Sequence, residues 1–117
     1  MGRRGTIERM AADETHGIPE STLRTIRAKL VRAVAFLDPV HRDWILHETT
    51  RPKSRRVNAV LVILGDAITE CKPPGRDPMR TAPWMTCAID ILETTDGAEL
   101  NEARTYLVGA RQLLTGK

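Results

Sequence analysis

Few side chains in this sequence are spaced for chemistry. His16, His41, His47, Cys71 and Cys87 are the soft ligands available. None sits at the short paired spacing that holds a metal, so no metal or other cofactor is expected. There is no glycine-rich phosphate loop and no Gly-x-Ser-x-Gly elbow to expose a nucleophile. Cations offer more. Arg51, Lys53, Arg55 and Arg56 fall where a helix is expected to begin. Lys and Arg beside the free amides of a helix start are what phosphate contacts require. Together with Arg3 and Arg4 they could flank a duplex, although four cations at a helix start also oppose its dipole slightly.

A second segment is Gly17-Ile18-Pro19-Glu20-Ser21-Thr22-Leu23. Glycine permits a tight turn of positive φ, and the residues after it begin a helix with Leu23 and Ile26 inward. Its polar side presents Glu20, Ser21, Thr22, Arg24 and Thr25, with Arg27 beside them. The stretch resembles the Pipsqueak-type and related homeodomain-like helix-turn-helix motifs, strongly over about seven residues and loosely over residues 11–27. The resemblance implies sequence-specific duplex binding, with Ser21, Thr22 and Arg24 or Thr25 as base readers. The expected footprint on double-stranded DNA is therefore Ser21, Thr22, Arg24, Thr25, Arg27, Arg51, Lys53, Arg55 and Arg56. One short helix reads few bases, so such a protein is expected to be a homodimer.

Arg42 and His47 are separated by four residues. That spacing is similar to the signature of HEPN-type ribonucleases, which are small, all-helical and dimeric. The resemblance implies that Arg42 would stabilise charge on an RNA phosphate while His47 transfers a proton. Without it, no constellation marks the chain as an enzyme. A protein-binding adaptor or inhibitor is then the alternative to a DNA-binding regulator. Single-stranded nucleic acid is disfavoured, because Phe36, Trp44, Trp84 and Tyr106 are the only stacking platforms.

Composition bounds these readings. The 117 residues suit one domain, and 41% hydrophobic with 28% charged residues is ordinary for a globular protein. The longest apolar run, residues 59–64, is far short of the ~20 needed to span a bilayer, so no membrane partner is expected. No apolar stretch follows the N-terminal arginines, and two isolated cysteines read as free thiols; both point to the cytoplasm. Charge is uneven: residues 1–60 hold 12 Lys and Arg against 7 Asp and Glu, whereas residues 61–117 hold 6 against 8. A basic half favours an anionic partner.

The elements that must position these groups are helical. After a basic tail over residues 1–5, apolar spacing of three and four predicts helices over Thr6–Glu14, Glu20–Leu37, Pro39–Glu48, Ser54–Cys71, Pro83–Thr95 and a last one reaching Leu114. Asp38-Pro39 is expected to restart the chain in a new direction, and Thr49–Lys53 to form a basic turn. Val57, Val60, Leu61, Leu64 and Ile68 form the fourth stripe, with Val62 and Ile63 extending it, which places that helix in the middle of a bundle. Residues 72–82, rich in proline, are expected to be a loop. Asp96 with Glu99 fits a capping box. The expected fold is a single all-α domain, a compact bundle of five to six helices closed by a C-terminal antiparallel hairpin.

Overall fold

The computed structural model describes residues 17–72 and 77–116. Among these the chain is all-helical, with no strand. Four α-helices follow in order: α1, Glu20–Trp44; α2, Arg51–Glu70; α3, Thr81–Glu93; and α4, Asn101–Thr115. Short 3₁₀ turns, Pro78–Arg80 and Ala98–Leu100, lead into α3 and α4. The expected first helix over residues 6–14 lies outside the described residues, as do Arg3, Arg4 and residues 73–76 of the Pro-rich loop.

The count of five to six helices is corrected chiefly at Pro39, which sits inside α1. Proline removes one helical hydrogen bond, here to the carbonyl of Ala35, at a cost of about 3 kcal/mol. The helix nevertheless continues, because its apolar stripe does. Leu30, Ala33, Leu37 and Trp44 are all buried on one side. A break at Asp38 would have swung Trp44 off that line, and fully burying one large apolar side chain is worth ~1.5–3 kcal/mol. Both Ala35 and Pro39 face outward, so solvent can serve the orphaned carbonyl. Residues 45–50 form the turn, and α2 opens at Arg51 with Pro52 in its first turn. The basic segment is therefore the first turn of a helix. Ser54 is buried inside it, donating to the Arg51 carbonyl at 2.6 Å, and does not cap the helix.

α1 packs against α2 and α4, and α3 packs against the same two helices. Each neighbouring pair is antiparallel, as cross-contacts show. Arg27 near the start of α1 donates to the Cys71 carbonyl at the end of α2. His41 near the end of α1 donates through Nδ1 to the Ser54 carbonyl in the first turn of α2. Arg104 pairs with Glu93 across the start of α4 and the end of α3, and Arg111 reaches Thr86 at the opposite end, forming the expected C-terminal hairpin. The Phe36 ring stacks on Tyr106 between α1 and α4.

The core is the set of inward stripes: Leu23, Ile26, Leu30 and Leu37 from α1, Val57, Val60 and Leu64 from α2, Met85, Ile89 and Leu92 from α3, and Leu100, Leu107 and Leu114 around α4. Leu100, Ala103, Leu107, Ala110 and Leu114, three and four residues apart, are all buried. The reading of α2 as a central helix is corrected: in a ring of four antiparallel helices none is central, and Val62 is 58% exposed. The capping box is corrected too. α4 starts through a 3₁₀ turn whose preceding residue is Gly97 at φ +152°, and no side chain caps it.

Gly97 is where α3 turns back, and it lies against the ring of Trp44. A Cβ there would stand 2.8 Å from Trp44 Cη2 and 3.1 Å from Cζ2, on a backbone that L-residues rarely adopt. Gly97→Ala combines backbone strain with overpacking, and should lower unfolding free energy by about 2–4 kcal/mol in urea denaturation. An unchanged denaturation midpoint would show that the glycine does not seat Trp44.

Candidate functional site

A left-handed turn leads into α1. Gly17 has φ +75°, the left-handed region, and Glu20 opens α1. Leu23 and Ile26 are buried, while Ser21, Arg24 and Thr25 are exposed and Thr22 is half-buried. Thr25 donates back to the Ser21 carbonyl at 3.1 Å, a local contact that leaves the ridge facing outward. Arg27 is half-buried, and its Nη1 donates at 2.7 Å to the Cys71 carbonyl, one of the last acceptors of α2. The ridge therefore offers Ser21, Arg24 and Thr25, with the acid Glu20 among them.

The second basic group lies at the other end of the bundle. Arg24 and His41 are 17 residues apart on one helix, about 25 Å at 1.5 Å per residue. His41 touches Ser54, within the first turn of α2 that carries the cations. The footprint expected from the sequence is thus split between the two ends of the bundle. Three of the four cations are also engaged at helix ends. Arg51 Nε donates to the Ile45 carbonyl at 3.2 Å, in the turn leaving α1. Lys53 Nζ donates to the Asp96 carbonyl at 3.0 Å and lies 4.6 Å from the centre of the Trp44 ring. Arg56 Nε donates to Thr95 Oγ1 at 2.6 Å, and its Nη2 reaches Thr94 Oγ1 and the Ile91 carbonyl. Arg55 alone of the four points outward with no such partner among the described residues.

Arg42 and His47 each lie beside a different acid. Arg42 pairs with Asp38 at 3.0 Å one turn back, and His47, past the end of α1, lies 3.6 Å from Asp43. All four side chains are well exposed, and ion pairs of this kind contribute about 0–1 kcal/mol.

Two open recesses of about 340 and 350 Å³ flank α4. One is bordered by Glu93, Asp96, Asn101 and Arg104, the other by Lys29, Thr105, Gly109 and Gln112. In the first, Glu93 and Arg104 neutralise each other. Among the described residues no three His, Cys, Asp or Glu side chains converge to hold a metal ion, and no helix is long and apolar enough to cross a membrane. Both cysteines are free thiols. Burial pushes the Cys71 thiol above its ordinary value of 9.0, outweighing a Thr81 hydrogen bond and the Arg27 charge, so it stays protonated and poorly nucleophilic.

The corner between α1 and α2 was not legible in the sequence. Trp44-Ile45-Leu46 reads as one apolar run, but only Trp44 turns inward. Leu46 is 74% exposed and Ile45 45% exposed, within a rim of Arg42, Asp43, His47, Glu48 and Arg51. The usable signal was the end of the stripe: a helical period that terminates at Trp44 leaves the next two residues nothing to pack on.

The structural role of Arg56 can be separated from any electrostatic one by comparison with its neighbour. Arg56→Ala removes the donors that close the end of α3 and should cost about 1–2 kcal/mol of stability, whereas Arg55→Ala should stay within about 0.5 kcal/mol. Equal effects in thermal and urea unfolding would refute the capping role. Comparison with models of known protein families, with curated proteins and with solved structures finds no match for this chain.

Proposed function

We propose that this protein is a non-enzymatic adaptor or inhibitor that acts by binding a partner protein at the corner between α1 and α2. The observation that carries this reading is the exposure of Ile45 and Leu46 together. Large aliphatic side chains scattered singly on a surface need no explanation. Two adjacent ones, projecting from a turn and ringed by charged groups, have the composition of a small anchor: an apolar centre to be desolvated inside a polar rim. Their support is rigid. Thr50 Oγ1 donates to the Trp44 carbonyl at 2.8 Å and Arg51 holds the Ile45 carbonyl, so the turn is tied to both helices. An anchor held in place loses little conformational entropy when a partner covers it.

A second reading, a small duplex-DNA-binding regulator, is favoured by the left-handed turn at Gly17 and the outward Ser21, Arg24 and Thr25. It stands below the first because the charge is thin. DNA-binding proteins commonly neutralise about 6–10 phosphates. Here three of the four cations at the start of α2 are turned toward helix ends, and the ridge itself carries Glu20 beside Arg24.

Leu46→Asp tests the first reading. The residue is exposed, so the melting temperature should be unchanged, while a partner protein captured by the wild-type chain should be lost. Identical capture by both forms, or recovery of nucleic acid alone, would overturn it. The second reading expects a low-salt gel shift with duplex DNA that weakens several-fold in Arg24→Ala; no shift at low salt removes that reading.

A further inference from the structure

The outer side of α2 carries a pattern that the bundle does not use. Arg55, Ala59, Val62 and Asp66 are all exposed. Their spacing of four, three and four places them along one seam of the helix, as in the stripe through which two helices pack. Val62 at the middle is 58% exposed, an unusual place for a β-branched aliphatic side chain in a helix. Arg55 and Asp66, at the two ends, make no ion pair with any described residue of the chain.

We propose that this face seats a second copy of the same chain, with the two α2 helices antiparallel about a two-fold axis. The charge order selects that arrangement. A two-fold axis crossing α2 midway between Ala59 and Val62 sets Arg55 of one copy opposite Asp66 of the other, twice, with Ala59 opposite Val62 between them. An isologous contact requires such self-complementarity. Parallel docking would set Arg55 against Arg55 and Asp66 against Asp66, which is repulsive. The neighbouring helix makes the contrast. The outer stripe of α1 runs Arg24, Ala28, Val31, Ala35, Asp38, Arg42. The order Arg24, Ala28, Val31, Ala35, Asp38 is also self-complementary, but there the acid is engaged within the chain, Asp38 lying 3.0 Å from Arg42. Of these two outer stripes, only that of α2 keeps both its base and its acid free of an ion pair with any described residue.

One helix face on each copy is a small interface, at the lower end of the range for specific contacts, below ~1,200 Å². The association is therefore reversible, rises with concentration and falls with salt, since the end pairs are solvent-exposed. It is independent of the partner-binding corner at Ile45 and Leu46.

Sedimentation equilibrium of the full chain over a range of concentrations tests this. The wild type should show a monomer–dimer equilibrium. D66R and R55D each set like charges face to face and should weaken the dimer by about tenfold or more. The double variant R55D/D66R restores opposite signs across the axis and should recover affinity to within about threefold of the wild type. V62E, which places a charge at the centre of the seam, should leave only monomer, with the circular dichroism spectrum and melting curve showing each variant folded. A wild type that stays monomeric at every concentration, a D66R variant that dimerises as well as the wild type, or a double variant no better than the singles would each overturn the proposal.

Discussion

Every helix of this bundle runs against both of its neighbours, and that constraint decides what most of the cations do. A helix start gathers partial positive charge and a helix end partial negative charge. Arg51, Lys53 and Arg56 at the start of α2 would on that helix alone be mildly unfavourable. Antiparallel packing brings the end of α1 on one side and the end of α3 on the other within their reach. The Ile45 and Asp96 carbonyls and the Thr95 hydroxyl then accept from these long side chains. Arg27 does the same at the opposite end for α2. The ends of α1, α2 and α3 are each braced by a side chain from the adjacent helix.

This arrangement separates two meanings of a basic cluster that composition merges. A cation that donates to a carbonyl has spent its geometry, though not its charge. Its field still reaches solvent, but its donors no longer point outward to grip a phosphate. Arg55 and Arg24 keep both. The groups left for recognition are accordingly sparse and distinct: a polar ridge at the start of α1, an aliphatic corner at its end, and a mixed-charge seam along α2. They lie on one rigid body because the core stripes of four helices lock together without a break, including across Pro39.

The same packing explains which sequence signals survived. The last stripe, from Leu100 to Leu114, is legible in the period of its apolar residues because α4 has one face inward and that period is uninterrupted. The first runs on through Pro39, where the sequence alone predicts a break, since local rules about proline cannot weigh the burial of Trp44 five residues on. In α3, Met85 and Ile89 are buried while Trp84 is only partly so; that helix is apolar on most sides, and period alone does not pick a face. The αL turn at Gly17 and the exposure of Arg24 were visible from residue types. That Arg27 would be drawn to Cys71, 44 positions away, was not.

By itself the amino-acid sequence determined the helical class, the turn at Gly17, the closing hairpin and most of the residues that meet in the core. These follow from backbone sterics and from the period of apolar side chains, which act over a few residues. Only the tertiary structure decided that the two basic groups stand at opposite ends, that three cations at the start of α2 serve as caps, and that Leu46 and Val62 face solvent. Those outcomes depend on which helix ends come together and on how many helices share the core, and both are set by contacts between residues far apart in the chain.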